Sequence, residues 1–241
     1  VEFAAMEMPG FVDDWGLDDL VPNDDVTEAG GTGYDPIAEA TEGLTELILL
    51  DREIRVAGKV FDAGTWAVGH TGSPSDWSSP SNDPVADIMT QAEAQWVWPN
   101  TIVMSQDVWN VLRIHPKVVA AAMPTAINAR MVSLQQFGEI FDIPEVRVGR
   151  GWMNSAKPGQ APSIQRVWAG ENFAMFYKNP QATPRRGLTF GFTAQYKTRV
   201  SGRIAEPRNG LRGSVRVRVG ESTNEIITCN DVGYLFTGVL T

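Results

Sequence analysis

Only two histidines are available for acid–base chemistry, His70 and His115. His70 lies in a loop rich in Gly and Ser, and His115 precedes Pro116, where the sequence predicts the end of a helix. A serine hydrolase would pair one of them with a serine and a carboxylate from distant parts of the chain. The chain has no Gly-x-Ser-x-Gly motif and no pair of histidines at metal-binding spacing. We therefore assign no catalytic or metal site, and keep a soluble serine hydrolase using His115 or His70 as an alternative.

Glycine-rich and acidic segments are the other places where a ligand could bind. Residues 30–33 lack the Lys-Ser/Thr end of a phosphate-binding loop and precede acidic residues, so we interpret them as a hinge. Paired acids at 13–14, 18–19 and 24–25 could hold calcium weakly, but their spacing fits a solvated or partner-facing surface better. The single cysteine, Cys229, is expected to be a buried thiol, with a disulfide between subunits left open. We expect no cofactor.

The charge is divided unevenly along the 241 residues, which carry a formal net charge of −9. Residues 1–62 hold 16 acidic side chains against three basic ones, whereas residues 63–241 have a net charge of +4. Such a chain lacks the concentrated basic face of an ordinary nucleic-acid-binding protein. The division suits a protein whose acidic front lies against the basic remainder of a second copy, although acidity also serves solubility.

The hydropathy of the chain and its N-terminal sequence indicate which classes of protein are not expected. No stretch approaches the ~18 consecutive apolar residues of a membrane span, and no secretion signal opens the chain, so we expect no contact with a membrane. The chain begins at Val1 with the character of a strand interior. This start favours a further N-terminal segment upstream.

The periodicity of apolar residues predicts an α+β protein. Asp35 and Pro36 begin a helix of about 25 residues that runs to Phe61, roughly twice the average length. Further helices are predicted after Asp83, after Ser105 and after Ser133, with a strand at 101–104. The remainder predicts strands at 145–149, 165–169, 172–177, 188–196, 212–219 and near 232–240.

Tryptophan and arginine are the residue types that suggest contacts between subunits. Three tryptophans fall on or beside helices and are predicted to lie in the core: Trp96, Trp98 and Trp109. Three others fall in loop-like segments and are predicted to anchor subunit interfaces: Trp15, Trp66 and Trp77. The basic side chains at 184–186 and at Arg199, Arg203, Arg208 and Arg212 could meet DNA or acidic neighbours, and pairing between subunits is favoured.

Several phrases occur in an order that is typical of one protein family. They are Gly-Leu-Asp-Asp-Leu-Val-Pro at 16–22, Leu-Asp-Arg-Glu-Ile-Arg-Val-Ala at 50–57, Asp-Pro-Val-Ala-Asp-Ile at 83–88, Pro-Asn-Thr-Ile-Val-Met at 99–104, Val108-Trp109, Leu112-Arg113 and His115-Pro116. In order and spacing, over roughly residues 10–150, they resemble the major capsid proteins of tailed bacteriophages. The later strands are similar to that family in layout rather than in wording.

The resemblance implies the Hong Kong 97-type capsid fold, with an extended loop, a peripheral domain built on a long spine helix, and an axial domain. Residues 1–33 would form the extended loop, 34–82 the spine helix and loop of the peripheral domain, and 83–180 the axial domain. Residues 181–241 would return to the peripheral domain and end in a C-terminal strand. Residues 155–163 would lie near five- and sixfold centres.

The function that the resemblance implies is structural. Many copies would form hexamers and pentamers of an icosahedral virion shell, assembled in the host cytoplasm around double-stranded DNA that is bound without sequence specificity. A portal protein, and decoration or scaffolding proteins, would be further partners. An encapsulin-like nanocompartment, which uses the same fold to enclose protein cargo, is the nearest alternative.

Overall fold

The computed structural model describes residues 11–31, 33–123, 131–157, 159–182 and 187–240. Six α-helices lie within these residues: α1 (Asn23–Glu28), α2 (Pro36–Val60), α3 (Pro84–Glu93), α4 (Gln106–Leu112), α5 (Pro116–Ala122) and α6 (Leu134–Ile140). Ten strands accompany them: β1 (Asp13–Pro22), β2 (Thr71–Gly72), β3 (Thr101–Ser105), β4 (Glu145–Gly149), β5 (Trp152–Asn154), β6 (Ile164–Arg166), β7 (Phe173–Phe176), β8 (Gly191–Glu206), β9 (Ser214–Ile227) and β10 (Gly233–Phe236). Among these helices none is both long and apolar enough to cross a membrane.

The chain divides into two compact units. Unit 1 contains the described residues from 11 to 55 together with 193–226, and unit 2 contains those from 56 to 192 together with 227–240. Each unit is therefore built from segments that are distant in sequence. The α+β class predicted from the sequence is confirmed by this mixture of helices and sheets.

Unit 2 is organised around a five-stranded mixed sheet with the order β2-β10-β7-β3-β4. β3 pairs in parallel with β4 and antiparallel with β7, so β4 forms one edge of the sheet. All residues of β3, β7 and β10 are buried. Aromatic rings pack closely in the core beside them, with the centroids of Trp77 and Phe173 5.6 Å apart and those of Trp109 and Phe137 5.7 Å apart.

Three helices of unit 2 start where their capping residues predict. The Asp83 side chain accepts a hydrogen bond from the Ala86 backbone at the start of α3, and Ser105 accepts one from Val108 at the start of α4. Ser133 forms a complete capping box at α6, in which the Gln136 side chain bonds back to the Ser133 backbone. These caps satisfy backbone N–H groups that have no partner inside the helix.

Unit 1 packs the long helix α2 against a three-stranded sheet with the order β1-β9-β8. Asp35 begins α2, because its side chain accepts hydrogen bonds from the backbone of Ile37 and Ala38. β1 pairs antiparallel with β9 along its whole length, from Asp13 opposite Thr223 to Pro22 opposite Ser214. The apolar core contains buried residues from α2 and from the facing side of the sheet: Val21, Ile37, Leu44, Ile48, Val217 and Val219.

The local structure of unit 1 differs from the expectation in two places. No helix was predicted at 23–28, but α1 forms there, and Asp24 and Asp25 lie in its first turn, where carboxylates favour the positive end of the helix dipole. β8 and β9 extend well beyond the predicted 188–196 and 212–219. β8 has exposed residues on both faces and therefore lacks the alternation that marks a half-buried strand. The basic residues predicted at 184–186 to contact DNA or acidic neighbours lie outside the described residues.

Candidate assembly surfaces

A buried carboxylate, Glu221, ties α2 to the sheet of unit 1. Its side chain has no solvent exposure and accepts hydrogen bonds from two guanidinium groups. Arg52 of α2 donates from Nε at 2.9 Å and from Nη2 at 2.5 Å, and Arg199 of β8 donates from Nη2 at 3.0 Å. Burial acts to raise the pKa of Glu221, but the hydrogen bonds from both arginines outweigh it and lower that pKa below its ordinary value. Glu221 is therefore held as an anion.

A second arginine, Arg55, connects the same helix to both β1 and β9. Its guanidinium contacts Asp51 one turn earlier, donates to Glu225 at 3.1 Å, and lies 4.0 Å from the centroid of the Trp15 ring. The Trp15 indole N–H donates to the Thr223 backbone carbonyl at 3.2 Å. β1 is therefore anchored to α2 through an aromatic–cation contact as well as through its pairing with β9.

The outer face of the same sheet carries exposed ion pairs. Asp18 of β1 accepts hydrogen bonds from Arg216 and Arg218 of β9, which lower its pKa to about 2. Asp24 of α1 pairs with Arg212 at 3.0 Å. At these positions the acidic front of the chain meets basic residues of the same subunit. Arg199 and Arg212 were expected to pair with acids of a neighbour; within this subunit they bind Glu221 and Asp24. Pairing with a neighbour stays a prediction.

Exposed apolar side chains mark the surface of unit 1. Tyr196, Val200 and Ile204 of β8 are all exposed, and so is Leu47 on α2. Leu211 follows the glycine at the tip of the β8–β9 hairpin and is also exposed. Such residues are candidates for contacts between copies.

In unit 2 a small two-stranded sheet presents an exposed tryptophan. β5 and β6 pair antiparallel, with Trp152 opposite Arg166 and Asn154 opposite Ile164, so Trp152 and Ile164 share one face. Trp152 is 55% exposed and Ile164 is 67% exposed. The Arg166 guanidinium lies 4.4 Å from the Trp152 ring centroid and 3.6 Å from the carboxylate of Asp107.

A groove of about 450 Å³ lies between α6 and the start of the edge strand β4. Its apolar lining includes Leu134, Ile143 and Val146, and its rim carries the exposed carboxylates of Glu139 and Asp142. Within the described residues neither rim carboxylate has an ion pair. The groove is therefore apolar at its floor and negative at its rim.

The tryptophans are distributed differently from the sequence-based expectation. Trp109 lies in the core as predicted, whereas Trp96 and Trp98 are exposed. Trp66 and Trp77 were expected at interfaces but are buried inside unit 2, where Trp77 donates to the Asp87 carboxylate. Position in a loop was a poor guide, because these two loops fold back onto the sheet. The exposed position of Trp152 was not predicted. Two short β-forming runs on either side of a Gly/Pro-rich loop could have indicated the hairpin that carries it.

The two histidines make structural hydrogen bonds. His115 was expected to end a helix, but it is the N-cap of α5, because the residue before a proline favours an extended backbone. Its Nδ1 accepts from the Lys117 backbone N–H, and its Nε2 lies 3.2 Å from the Ser79 carbonyl oxygen, so both ring nitrogens face backbone groups. Nδ1 of His70 lies 2.9 Å from the Gly233 carbonyl oxygen. The described geometry brings no serine hydroxyl to His115.

The other candidate ligand groups are dispersed. Cys229 is half-buried, and burial together with Asp231 raises the pKa of its thiol. Within the described ranges no three His, Cys, Asp or Glu side chains converge as a metal site would require. The assignment of no catalytic, cofactor or metal residue stays a prediction.

Sequence similarity to known proteins shows which family this chain belongs to. The chain is 41% identical over 239 residues to the major capsid protein of Pseudomonas phage JBD67, covering 98% of this chain and 77% of that protein. This chain belongs to the phage major capsid protein family. No protein-family model matches it. The resemblance inferred from the sequence is confirmed, and the chain has a structural role in a phage shell.

Solved structures show the same fold at low sequence identity. A phage-related protein from Bordetella bronchiseptica is 20% identical with a TM-score of 0.77, covering 95% of this chain and 74% of that one. The Mycobacterium phage Che8 structure is 14% identical with a TM-score of 0.58, over 93% of this chain and 70% of that one. The capsid of Myoviridae phage XM1 is 12% identical with a TM-score of 0.53, over 94% and 73%. The fold is the Hong Kong 97-type capsid fold.

Proposed function

We propose that copies of this capsid protein form hexamers and pentamers that close into an icosahedral shell around double-stranded DNA. The observation that carries the proposal is the 41% identity to a phage major capsid protein along nearly the whole chain. The exposed face of the β5–β6 hairpin, with Trp152 and Ile164 together, supports it, because adjacent exposed apolar side chains are typical of protein interfaces. The enclosed DNA needs no sequence-specific contact, since a closed container confines it.

The proposal includes a purely structural role. A hydrolase would need His115 or His70 to accept a proton from a serine. Nδ1 of His115 already accepts from a backbone N–H, and its Nε2 faces a backbone carbonyl. We therefore propose that His115 stabilises the start of α5 and performs no catalysis.

The domain assignment is part of the same proposal. Residues 1–33 would form an extended loop, 34–82 the peripheral domain with α2 as its spine, and 83–180 the axial domain. Residues 181–241 would return to the peripheral domain and end in a C-terminal strand. The association of α2 with β8 and β9 in unit 1 supports a peripheral domain built from distant segments.

The proposed partners outside the shell are a portal protein and decoration or scaffolding proteins, with assembly in the cytoplasm of the bacterial host. Their support is the family membership of the chain. Affinity purification of intact heads from infected cells, followed by mass spectrometry, would identify them. Heads that contain this protein alone would contradict this part of the proposal.

Negative-stain electron microscopy of the full-length protein expressed alone tests the central proposal. Closed shells, tubes or rings are the expected result, with absorbance at 260 nm that persists after nuclease treatment if the particles enclose nucleic acid. Shells filled with protein and free of nucleic acid would favour the encapsulin-like alternative. A homogeneous monomer would refute assembly and return attention to the histidines.

A further inference from the structure

The β5–β6 hairpin has a face that its own subunit leaves largely exposed. Trp152 and Ile164 lie diagonally across the two strands on that face and are more than half exposed, with the Arg166 guanidinium against one side of the Trp152 ring. The hairpin pairs with neither of the larger sheets and has only three residue pairs. A two-stranded sheet of this kind is marginally stable in water, and exposed tryptophans beside an apolar neighbour are typical of protein interfaces.

The charge of the hairpin restricts what can cover it. β5, β6 and the residue that leads into them carry Arg150 and Arg166 and no acidic side chain. Arg166 lies 3.6 Å from the Asp107 carboxylate, so Arg150 is the cation available to a neighbour. Arg150 is exposed and donates to the amide oxygen of Gln106 rather than to a carboxylate. A covering surface should therefore be apolar at its centre and negative at its rim.

The groove between α6 and β4 has both properties. Leu134, Ile143 and Val146 provide an apolar floor, and the rim carboxylates of Glu139 and Asp142 have no ion pair among the described residues. The positive hairpin and the negative groove are complementary in sign, and each exposes apolar surface at its centre.

The two surfaces lie at opposite ends of one strand. The chain leaves β4 at Gly149 to enter the hairpin, whereas the groove is built around residues 143–146 at the start of the same strand. A hairpin that extends from one end of β4 cannot reach the groove at the other end of the same subunit. It can reach the groove of a second copy.

We propose that the β5–β6 hairpin of one subunit packs its Trp152 and Ile164 face into the α6–β4 groove of the next copy. This proposal rests on the assembly function proposed above and names the surfaces that join neighbours within a ring. The contact is heterologous, because two different patches meet, and repeated heterologous contacts close into rings when the rotation permits. Arg150 would face the rim carboxylates across the interface.

Truncation of the tryptophan tests the apolar part of the contact. Trp152→Ala is expected to raise the critical concentration for shell assembly at least about tenfold, since removal of an aromatic anchor usually has the largest effect in an interface. Light scattering during assembly and sedimentation of the products measure this concentration. Thermal melting of the unassembled subunit should be unchanged, because Trp152 is already exposed. A normal critical concentration would overturn the proposal.

A reciprocal charge reversal tests which two surfaces meet. Arg150→Glu and Glu139→Lys should each weaken assembly, and the double variant should recover most of the loss because the opposite charges are restored in exchanged positions. Glu93→Lys is the matched control, since this exposed acid at the end of α3 lies outside both surfaces.

The outcomes separate this inference from the proposed function. If the wild-type protein forms no shells, the assembly function fails and the contact fails with it. If the wild type forms shells while the single reversals behave like Glu93→Lys, only the hairpin-to-groove contact is overturned. Single losses that add in the double variant, with no recovery, also overturn it. Recovery in the double variant supports the contact.

Discussion

Neutralising Glu221 should destabilise unit 1 strongly, because its carboxylate is the buried centre of an ion network. Glu221→Gln keeps the shape of the side chain but removes the charge that Arg52 and Arg199 share. The glutamine oxygen can accept from one guanidinium, and its amide N–H groups then face the donors of the other. Breaking a buried pair on one side costs about 3–5 kcal/mol.

The expected loss is somewhat smaller than that range. The side chains of Arg52 and Arg199 are 26% and 31% exposed, so water can solvate part of each uncompensated charge. We therefore expect a loss of about 2–4 kcal/mol in the free energy of local unfolding. Hydrogen exchange followed by mass spectrometry on peptides of β9 and α2 measures this loss directly. At about 3 kcal/mol, exchange through local opening would accelerate by a factor of about 100.

Asp18→Asn is the matched control for this prediction. Asp18 also binds two arginines of the same sheet, but on its exposed outer face, where solvent screens the charges. Exchange in β9 should therefore change little in Asp18→Asn. Equal acceleration in the two variants would refute the reasoning, because burial rather than the number of ion pairs is what distinguishes them. Unchanged exchange in Glu221→Gln would refute it as well.

Three further predictions concern backbone fit, acid and capping. Gly138→Ala should destabilise the subunit by about 1–3 kcal/mol in thermal melting, because the new Cβ would lie 2.5 Å from the Ile143 carbonyl oxygen. Gly43→Ala, with open space around its Cβ in the middle of α2, should instead stabilise it by about 0.5–1 kcal/mol. Because the pKa of Asp18 falls from 3.8 to about 2, its contribution to stability is complete above pH 3.8 and is lost as the pH falls toward 2. Because solvent screens this exposed pair, urea midpoints measured across that range should fall only slightly less steeply in Asp18→Asn. His115→Ala should lower the free energy of unfolding by about 1–2 kcal/mol through the lost cap of α5, as judged by urea titration.

The helices were the part of the fold that could be predicted most closely from the sequence. Asp35, Asp83, Ser105 and Ser133 each cap the helix they were expected to begin, because the capping signal is local and depends on a few neighbouring residues. The predicted capsid family is also confirmed, since the order of several phrases carries more information than any one of them.

The surfaces could not be predicted in the same way. Glu221 is separated from Arg52 by 169 positions, and no local pattern indicates that a glutamate in an alternating strand faces a helix. Trp66 was expected at an interface but is buried, whereas Trp98 was expected in the core but is exposed. The burial of a tryptophan depends on which loop folds back onto the sheet. The charge division was interpreted as contact between copies, whereas the ion pairs of Asp18 and Asp24 lie within one subunit. Contact of acidic and basic regions between copies stays a prediction.

The distribution of polar and apolar contacts suggests why assembly and stability are coupled in unit 1. Its core lies on one face of a three-stranded sheet, whereas β8 exposes Tyr196, Val200 and Ile204 to solvent. A sheet covered on one side buries less apolar surface than one covered on both. Unit 1 of an isolated subunit therefore has a smaller free energy of unfolding than it would have with both faces covered. Any contact that covers β8 in the shell binds only the folded state, and it therefore stabilises that state by mass action. Exchange in β8 should accordingly slow on assembly more than exchange in β3, which is already fully buried in the free subunit. Equal slowing in both strands would mean that the outer face of β8 stays open to solvent in the shell.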